Sequence, residues 1–224
     1  MNPVTIVVLG KFPEIFDGFR DNVNELFPEI PKIFVRDGNL IIPPEGPQWT
    51  LVQGPPVFSM PGNGNLGWAK VPSNHDMLYV GDDVRFLHAN SIELLSAAAY
   101  SDPAVGILSP KIIGAVGNSL QSNPNPEGLS YSQRGLCFVC VFFKREMLDK
   151  VGYMDPIYGG NYGYDDDDYG HRVKLTGYKL AVTSSVQVEH RHAGTTFWKI
   201  SGATGVNCSV NAEKFKKKWG FLPQ

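Results

Sequence analysis

Residues 4–35 read VTIVVLGKFPEIFDGFRDNVNELFPEIPKIFV, and this stretch sets the fold class. Val4 to Leu9 is short, β-branched and apolar on both faces, the composition of a central parallel strand covered by helices. Pro13 then opens a segment in which Ile15, Phe16, Phe19, Val23 and Phe27 recur at helical spacing until Pro28 and Pro31 end it. Lys32 to Val35 reads as a second strand, followed by the turn residues Asp37 and Gly38. The unit is β-α-β.

The same rhythm continues outward. Residues 39–67 are rich in proline and glycine, with one strand-like patch near Trp49 to Val52, and predict a surface connection with tight turns. Met77 to Val80 is an apolar strand running into Gly81, Asp82 and Asp83. Residues 90–100 are helical by their alanine and leucine content, and Val105 to Leu108 is a short strand. Cys137 to Phe143 is a further strand, Glu146 to Val151 a short helix, and Asp165 to Leu175 a helix stopped by Gly177. A strand from Leu180 to Glu189 and a basic helix from Glu213 to Trp219 complete the chain. Strands alternating with helices in this way predict an α/β fold with an open, mostly parallel sheet.

With 224 residues, 42% of them hydrophobic and 12% aromatic, the chain is long enough for one well-buried core, and a single domain over residues 1–224 is expected. Twenty basic against 22 acidic residues leave a net charge of −2, which advertises neither nucleic acid nor an anionic membrane as partner. No basic segment with a following apolar stretch stands at the N-terminus, and no apolar run approaches the ~20 residues a membrane span needs. A soluble, cytoplasmic protein is expected. Three cysteines, Cys137, Cys140 and Cys208, cannot form a disulfide framework and point to a reducing compartment. Cys137 and Cys140 lie within an apolar β-type run, where residues three apart face opposite ways, so buried thiols are expected rather than a metal or redox pair.

In open α/β sheets ligands sit beyond the carboxyl ends of the strands. The strand Met77 to Val80 delivers Asp82 and Asp83 there, hard oxygen donors of the kind Mg²⁺ and Mn²⁺ prefer, although an Asx turn explains such a pair equally well. In SSVQVEHRH, residues 184–192, Val186, Val188 and His190 share one face by alternation. That apolar face ends in an imidazole, either a hydrogen-bonded core residue or a nitrogen ligand. Residues 163–172 read GYDDDDYGHR. Asp165 to Asp168 open a helix, where the macrodipole and free N–H groups stabilise each charge by ~0.3–1 kcal/mol. Asp168 and Arg172 are spaced to pair on one face, while Asp166 points elsewhere and is the candidate proton acceptor.

The order of these motifs resembles the family-2 glycosyltransferases of the GT-A fold, inverting enzymes that move a sugar from a nucleotide-diphosphate sugar to an acceptor. The resemblance runs from Val4 to Trp219. Its strongest part is GLCFVCVFFKREMLDKVGYMDPIYGGNYGYDDDDYGHRVKLTGYKL, from Gly135 to Leu180, similar to the family's glycine-led strand, R-R-E-like turn, V-G-x-x-D-E-like turn and E-D-x-D-x-x-x-R helix start. GNLGWA, DPAVGILSPKI and FKKKWG also match family segments. The resemblance implies a Rossmann-like three-layer sandwich with a mostly parallel central sheet. Residues 1–83 would form its nucleotide-sugar-binding half, and 84–224 its acceptor-binding and catalytic half.

Carried over residue by residue, the resemblance implies Asp83 as the metal-binding aspartate of a D-x-D-like motif, with Asp82 beside it near the ribose or the metal's water shell. Gly81 stands where many members have the first aspartate. Asp166 would be the catalytic base, supported by Asp165, Asp168 and Arg172, and His190 would complete the coordination of Mn²⁺ or Mg²⁺. Gly135 would let backbone approach the donor sugar, Asp37 would lie near the nucleobase and ribose, and Leu9 at the base pocket. The implied activity is metal-dependent transfer of a hexosyl or deoxyhexosyl group from a nucleotide-diphosphate sugar, UDP-sugar first. The implied acceptor is a glycan or another hydroxyl, including one on a modified nucleobase. The alternative is a nucleotide-sugar- or glycan-binding protein on the same scaffold without turnover. A third reading is a Ca²⁺-stabilised interaction module.

Overall fold

The structure, a computed structural model, describes residues 1–10, 13–36, 46, 48–55, 59–160, 162–191 and 205–223. Among the described residues nine strands form one sheet: β1 Val4–Gly10, β2 Lys32–Arg36, β3 Trp49–Gln53, β4 Asp76–Gly81, β5 Val84–Phe86, β6 Val105–Gly114, β7 Leu129–Ser132, β8 Cys140–Phe143 and β9 Lys179–His190. The order is β3-β2-β1-β4-β8-β6-β9-β5, with β7 also on β9. β3, β2, β1 and β4 are mutually parallel, as are β6 and β9, whereas β8, β5 and β7 pair antiparallel. The mostly parallel α/β sheet read from the alternation is therefore present.

The apolar run of β1 is covered on both faces, and its alternation separates two cores. Ile6 and Val8 face a layer with Phe16, Phe19 and Val23 of α1 (Pro13–Leu26) and Leu95 of α3 (Ser91–Ser101). Val7 and Leu9 face a layer with Trp68 of α2 (Met60–Trp68), Met147 of α5 (Arg145–Val151), and Tyr169 and Val173 of α6 (Asp165–Leu175). This is the three-layer sandwich. Phe16 stacks on Phe34 with ring centroids 4.0 Å apart. Each such fully buried large side chain contributes about 1.5–3 kcal/mol.

One expectation is corrected. Part of the proline- and glycine-rich stretch, assigned to surface connection, is the helix α2. Ser59 Oγ accepts from the Gly62 N–H at 3.1 Å as its cap, and a proline stands in the first turn. Gly67 is required by packing rather than by turn geometry. A Cβ there would lie 2.6 Å from Val7 Cγ1 and 3.0 Å from Val35 Cγ2, so its absence lets the helix lie close on the sheet. Asn65 then exchanges two 2.9 Å hydrogen bonds with the Met154 backbone. Tertiary contacts outweigh a glycine cost of about 1 kcal/mol per residue.

Two topological facts assemble one edge of the sheet. Because β8 runs antiparallel between β4 and β6, its start lies at the carboxyl end of β4: Val80 pairs with Cys140, and the Gly81 N–H donates to the Val139 carbonyl at 2.8 Å. Because β9 is parallel to β6, the preceding α6 presents its N-terminus at that same edge. A short α4 (Ser119–Ser122) and a C-terminal α7 (Gly205–Trp219) flank it.

Candidate active site

The short turn that carries the chain from β4 to β5 fixes the first pair. Val84 lies opposite His190 in the β5–β9 ladder, and the Arg191 N–H donates to the Asp83 carbonyl at 2.9 Å. This pairing brings Asp83 Oδ2 within 3.1 Å of His190 Nε2. The other ring nitrogen, Nδ1, lies 2.6 Å from the Ala115 carbonyl oxygen, which can only accept, so Nδ1 carries the proton. Burial acts to lower the His190 pKa, and the Asp83 carboxylate with the Ala115 carbonyl outweighs it, holding the imidazole above its ordinary value. The Asp83 carboxylate folds back over Gly81, where a Cβ would meet its Oδ1 at 2.8 Å.

Asp82 lies over the end of β1, with its Oδ2 3.2 Å from where a Cβ on Gly10 would stand. Leu9 is buried in the adjacent strand, opposite Gly81 in the ladder. Beneath this edge the Tyr79 hydroxyl donates to Met60 Sδ at 2.9 Å, and its pKa is pushed well up by burial and then by Asp165, Asp82 and Asp83. The strand-end aspartates and the first residue of α6 thus act on one buried phenol.

The four aspartates of α6 have separate surroundings. Asp165 is buried, and burial with the Asp167 and Asp168 charges lifts its pKa to about 6 against its backbone hydrogen bonds. Asp166 is pushed well above the ordinary carboxylate value by burial and by the Asp167 and Asp165 charges, while the Asp167 N–H donates to its Oδ1 at 2.8 Å and opposes the rise. Asp167 is raised by burial against the attraction of Arg134 and Lys174. Gly135 packs on it: a Cβ there would lie 2.6 Å from Asp167 Oδ1 and 2.9 Å from its Cα. Asp168 has 0% exposure and is enclosed by donors. Its Oδ1 accepts from Lys218 Nζ at 2.6 Å, Trp219 Nε1 at 2.8 Å and the Tyr158 hydroxyl at 3.2 Å, and its Oδ2 accepts from Arg172 Nε at 3.1 Å.

The expected Asp168–Arg172 pair is therefore formed, within a larger knot that docks α7. Two lysines of α7 serve this docking: Lys218 also bonds Asp155 at 2.7 Å, and Lys214 donates to the Ile157 carbonyl at 2.7 Å. Asp37 lies outside the described residues. Among the described residues no group of three or more His, Cys, Asp or Glu is placed to hold a metal ion. The Asp83–His190 pair offers two donors, and phosphate oxygens and water are left to complete any coordination. Burial pushes the Cys137 thiol up to about 12 and raises that of Cys140 as well.

Sequence reasoning missed the groups that orient the site. Gln121 brackets Cys137, accepting its N–H at 2.8 Å and donating to its carbonyl at 3.0 Å. Asn118 Nδ2 donates to the Gly135 carbonyl at 2.7 Å. Neither residue belongs to a periodic pattern or a motif, so no local signal marks it. Among the described residues no helix is long and apolar enough to cross a membrane.

No family profile matches the sequence, and no curated protein does. Solved structures do match in fold. GalNAc-T7, solved with UDP, GalNAc and Mn²⁺, superposes with a TM-score of 0.67 at 10% identity over 85% of this chain and 44% of its own. TarS 1-349 of S. aureus gives 0.60 at 10% identity over 84% and 60%. Glucosyl-3-phosphoglycerate synthase from Mycobacterium tuberculosis, in complex with Mn²⁺, UDP and glucosyl-3-phosphoglycerate, gives 0.53 at 13% identity over 85% and 72%. The chain spans less than two thirds of the length of the first two. At these identities the likeness concerns architecture, and the chain has a GT-A-type fold.

Proposed function

We propose that the protein is a metal-dependent inverting glycosyltransferase that moves a sugar from a nucleotide-diphosphate sugar, a UDP-sugar first, to an acceptor hydroxyl, with Asp166 as general base. The observation that carries this reading is the meeting of Asp83 and His190 at 3.1 Å, on the sheet edge that also receives the N-terminus of α6. With Nδ1 donating to the Ala115 carbonyl, Nε2 is the ring nitrogen that faces the Asp83 carboxylate. That contact is a hydrogen bond while His190 is protonated; with the Nε2 proton released, the pair becomes an oxygen–imidazole donor set of the kind that suits Mn²⁺ or Mg²⁺. Asp83 and His190 would hold that ion, which supplies Lewis-acid stabilisation of the departing diphosphate.

The remaining roles belong to the chain's own groups. Asp82 would lie near the ribose or the metal's water shell and Leu9 at the base pocket, whereas the space a Gly135 side chain would need is taken by Asp167, so Gly135 serves the packing of α6. Asp166 takes the proton of the acceptor hydroxyl as that oxygen attacks the anomeric carbon on the face opposite the leaving group, so configuration inverts. Its raised pKa suits a base that must hold a proton through the step. Asp168 and Arg172 position the helix that presents it. The test is release of nucleoside diphosphate from UDP-, GDP- and dTDP-sugars with Mn²⁺, for the wild type and Asp166→Asn. Release by the wild type and its loss in the variant support the reading; no release from any donor overturns it.

The second reading, binding without turnover, is favoured by one feature: Gly81 in place of a carboxylate leaves the strand end one donor fewer. It predicts stabilisation by a UDP-sugar with no nucleoside diphosphate released.

A further inference from the structure

Residues 135–139 bridge the two halves of the candidate site. At one end Gly135 lies on α6: a Cβ there would stand 2.6 Å from Asp167 Oδ1, and one on Gly170 would stand 3.2 Å from the Gly135 Cα. At the other end the Val139 carbonyl accepts the Gly81 N–H at 2.8 Å, beside the Asp83 carboxylate that folds back over Gly81. Between them Cys137 faces Asp166, since burial and then the Asp166 charge raise its thiol. A shift of this bridge therefore changes the spacing between Asp166 and the Asp83–His190 pair.

The bridge lies ahead of the β8 ladder, and its own backbone supplies one tight turn, in which the Val139 N–H donates to the Cys137 carbonyl at 2.8 Å. A side chain does the rest. The Gln121 amide accepts the Cys137 N–H at 2.8 Å through Oε1 and donates to the Cys137 carbonyl at 3.0 Å through Nε2. Gln121 has 0% exposure, and the same Nε2 donates to Ser109 Oγ, buried in β6, at 2.9 Å. The sheet thus fixes the amide, and the amide fixes the bridge. Asn118, which caps α4, holds the Gly135 carbonyl at 2.7 Å. Only a group with both a donor and an acceptor can bracket a peptide unit in this way, and a fully satisfied buried polar network selects one geometry where apolar packing tolerates several.

We propose that Gln121 is a positioning residue for Asp166: its amide, anchored on Ser109, holds the 135–139 bridge so that the base and the strand-end pair keep their working separation. The catalytic part of this inference rests on the reading of Asp166 as general base. The groups that face Asp166 are Asp165 and Asp167 on its own helix, Cys137 on the bridge and Tyr162 on the preceding loop.

The test compares the wild type with Gln121→Met, which keeps the length of the side chain and loses both bonds. Two readouts are taken: the ¹³C carboxyl titration of Asp166, assigned through Asp166→Asn, and the steady-state kinetics with a nucleotide sugar that the wild type turns over. In Gln121→Met the Asp166 midpoint and the rising limb of kcat against pH should both move toward the ordinary carboxylate range, because a loosened bridge admits water. kcat should fall at least ~10-fold while the donor KM changes less than ~3-fold, the signature of misplacement in the transition state alone. If no donor is turned over, the transferase reading falls, and the Asp166 midpoint alone decides: a moved midpoint upholds the positioning role. An unmoved midpoint overturns the proposal, even if the melting temperature drops, because a merely structural glutamine would give that result. If Gln121→Met does not fold, Gln121→Asn, one methylene too short to reach both Cys137 groups, is read by the same criteria.

Discussion

The Asp83 carboxylate and the His190 imidazole stand 3.1 Å apart although 107 positions separate them in the chain. Strand pairing is the cause: β5 follows Asp83 at once and lies antiparallel on β9, so the register that sets Val84 opposite His190 also sets the two side chains together. The Ala115 carbonyl at the end of β6 then holds the ring.

If this pair holds a divalent ion, Mn²⁺ raises the melting temperature and a chelator reverses the gain. A ligand at ~100 times its Kd adds about 2.7 kcal/mol, and each kcal/mol is worth roughly 2–4 °C in a chain of this size. Differential scanning fluorimetry of Asp83→Asn and His190→Ala should show no response. A response that survives both substitutions places the metal elsewhere.

Replacing Asp166 by Asn should leave folding intact and lower kcat by ~10²–10⁴, the usual contribution of a general base. The base acts ionised, so the wild-type rate should rise with pH through the Asp166 pKa. Burial and the Asp165 and Asp167 charges put that limb above the ordinary carboxylate range. A limb at the ordinary Asp value in kcat against pH would assign the base to another group.

Asp165 makes stability fall as pH rises. Its folded pKa of about 6 exceeds the unfolded value of about 3.9, so its contribution is fully present below pH ~4 and is lost as pH rises through ~6. Asp165→Asn should therefore raise the melting temperature at about pH 7 and leave it unchanged near pH 4, as thermal denaturation at both values will show.

Asp168→Ala should cost about 3–5 kcal/mol in urea unfolding, because it strands Arg172 and Lys218 beside a buried space and leaves the Tyr158 and Trp219 donors unmet. A loss below ~1 kcal/mol would mean that water repairs the knot.

Gly67→Ala should destabilise by about 1–3 kcal/mol in the same measurement despite alanine's better helix propensity, since the added methyl overlaps Val7. A gain in stability would show that α2 can lift from the sheet without penalty.

Local patterning carried much of this molecule. The apolar run of β1, the spacing of Phe16, Phe19 and Val23, and the aspartates opening α6 are short-range signals, because burial period and helix-end charge are written within a few residues. They were enough for the α/β class, the sheet's mostly parallel sense, and the Asp168–Arg172 pair one helical turn apart. The glycine-rich α2 was misread because its stability comes from Val7, Val35 and Met154, residues no local window contains.

How far each of the four adjacent aspartates is buried, and what else faces it beyond Arg172, was decided only by the tertiary fold. Chemically identical side chains were told apart by what distant segments set against them. Gly135 packs on Asp167, while Lys218 and Trp219 close on Asp168 from the far end of the chain. Burial and neighbouring charge act through space, so carboxylates adjacent in sequence acquire different proton affinities once the chain has folded.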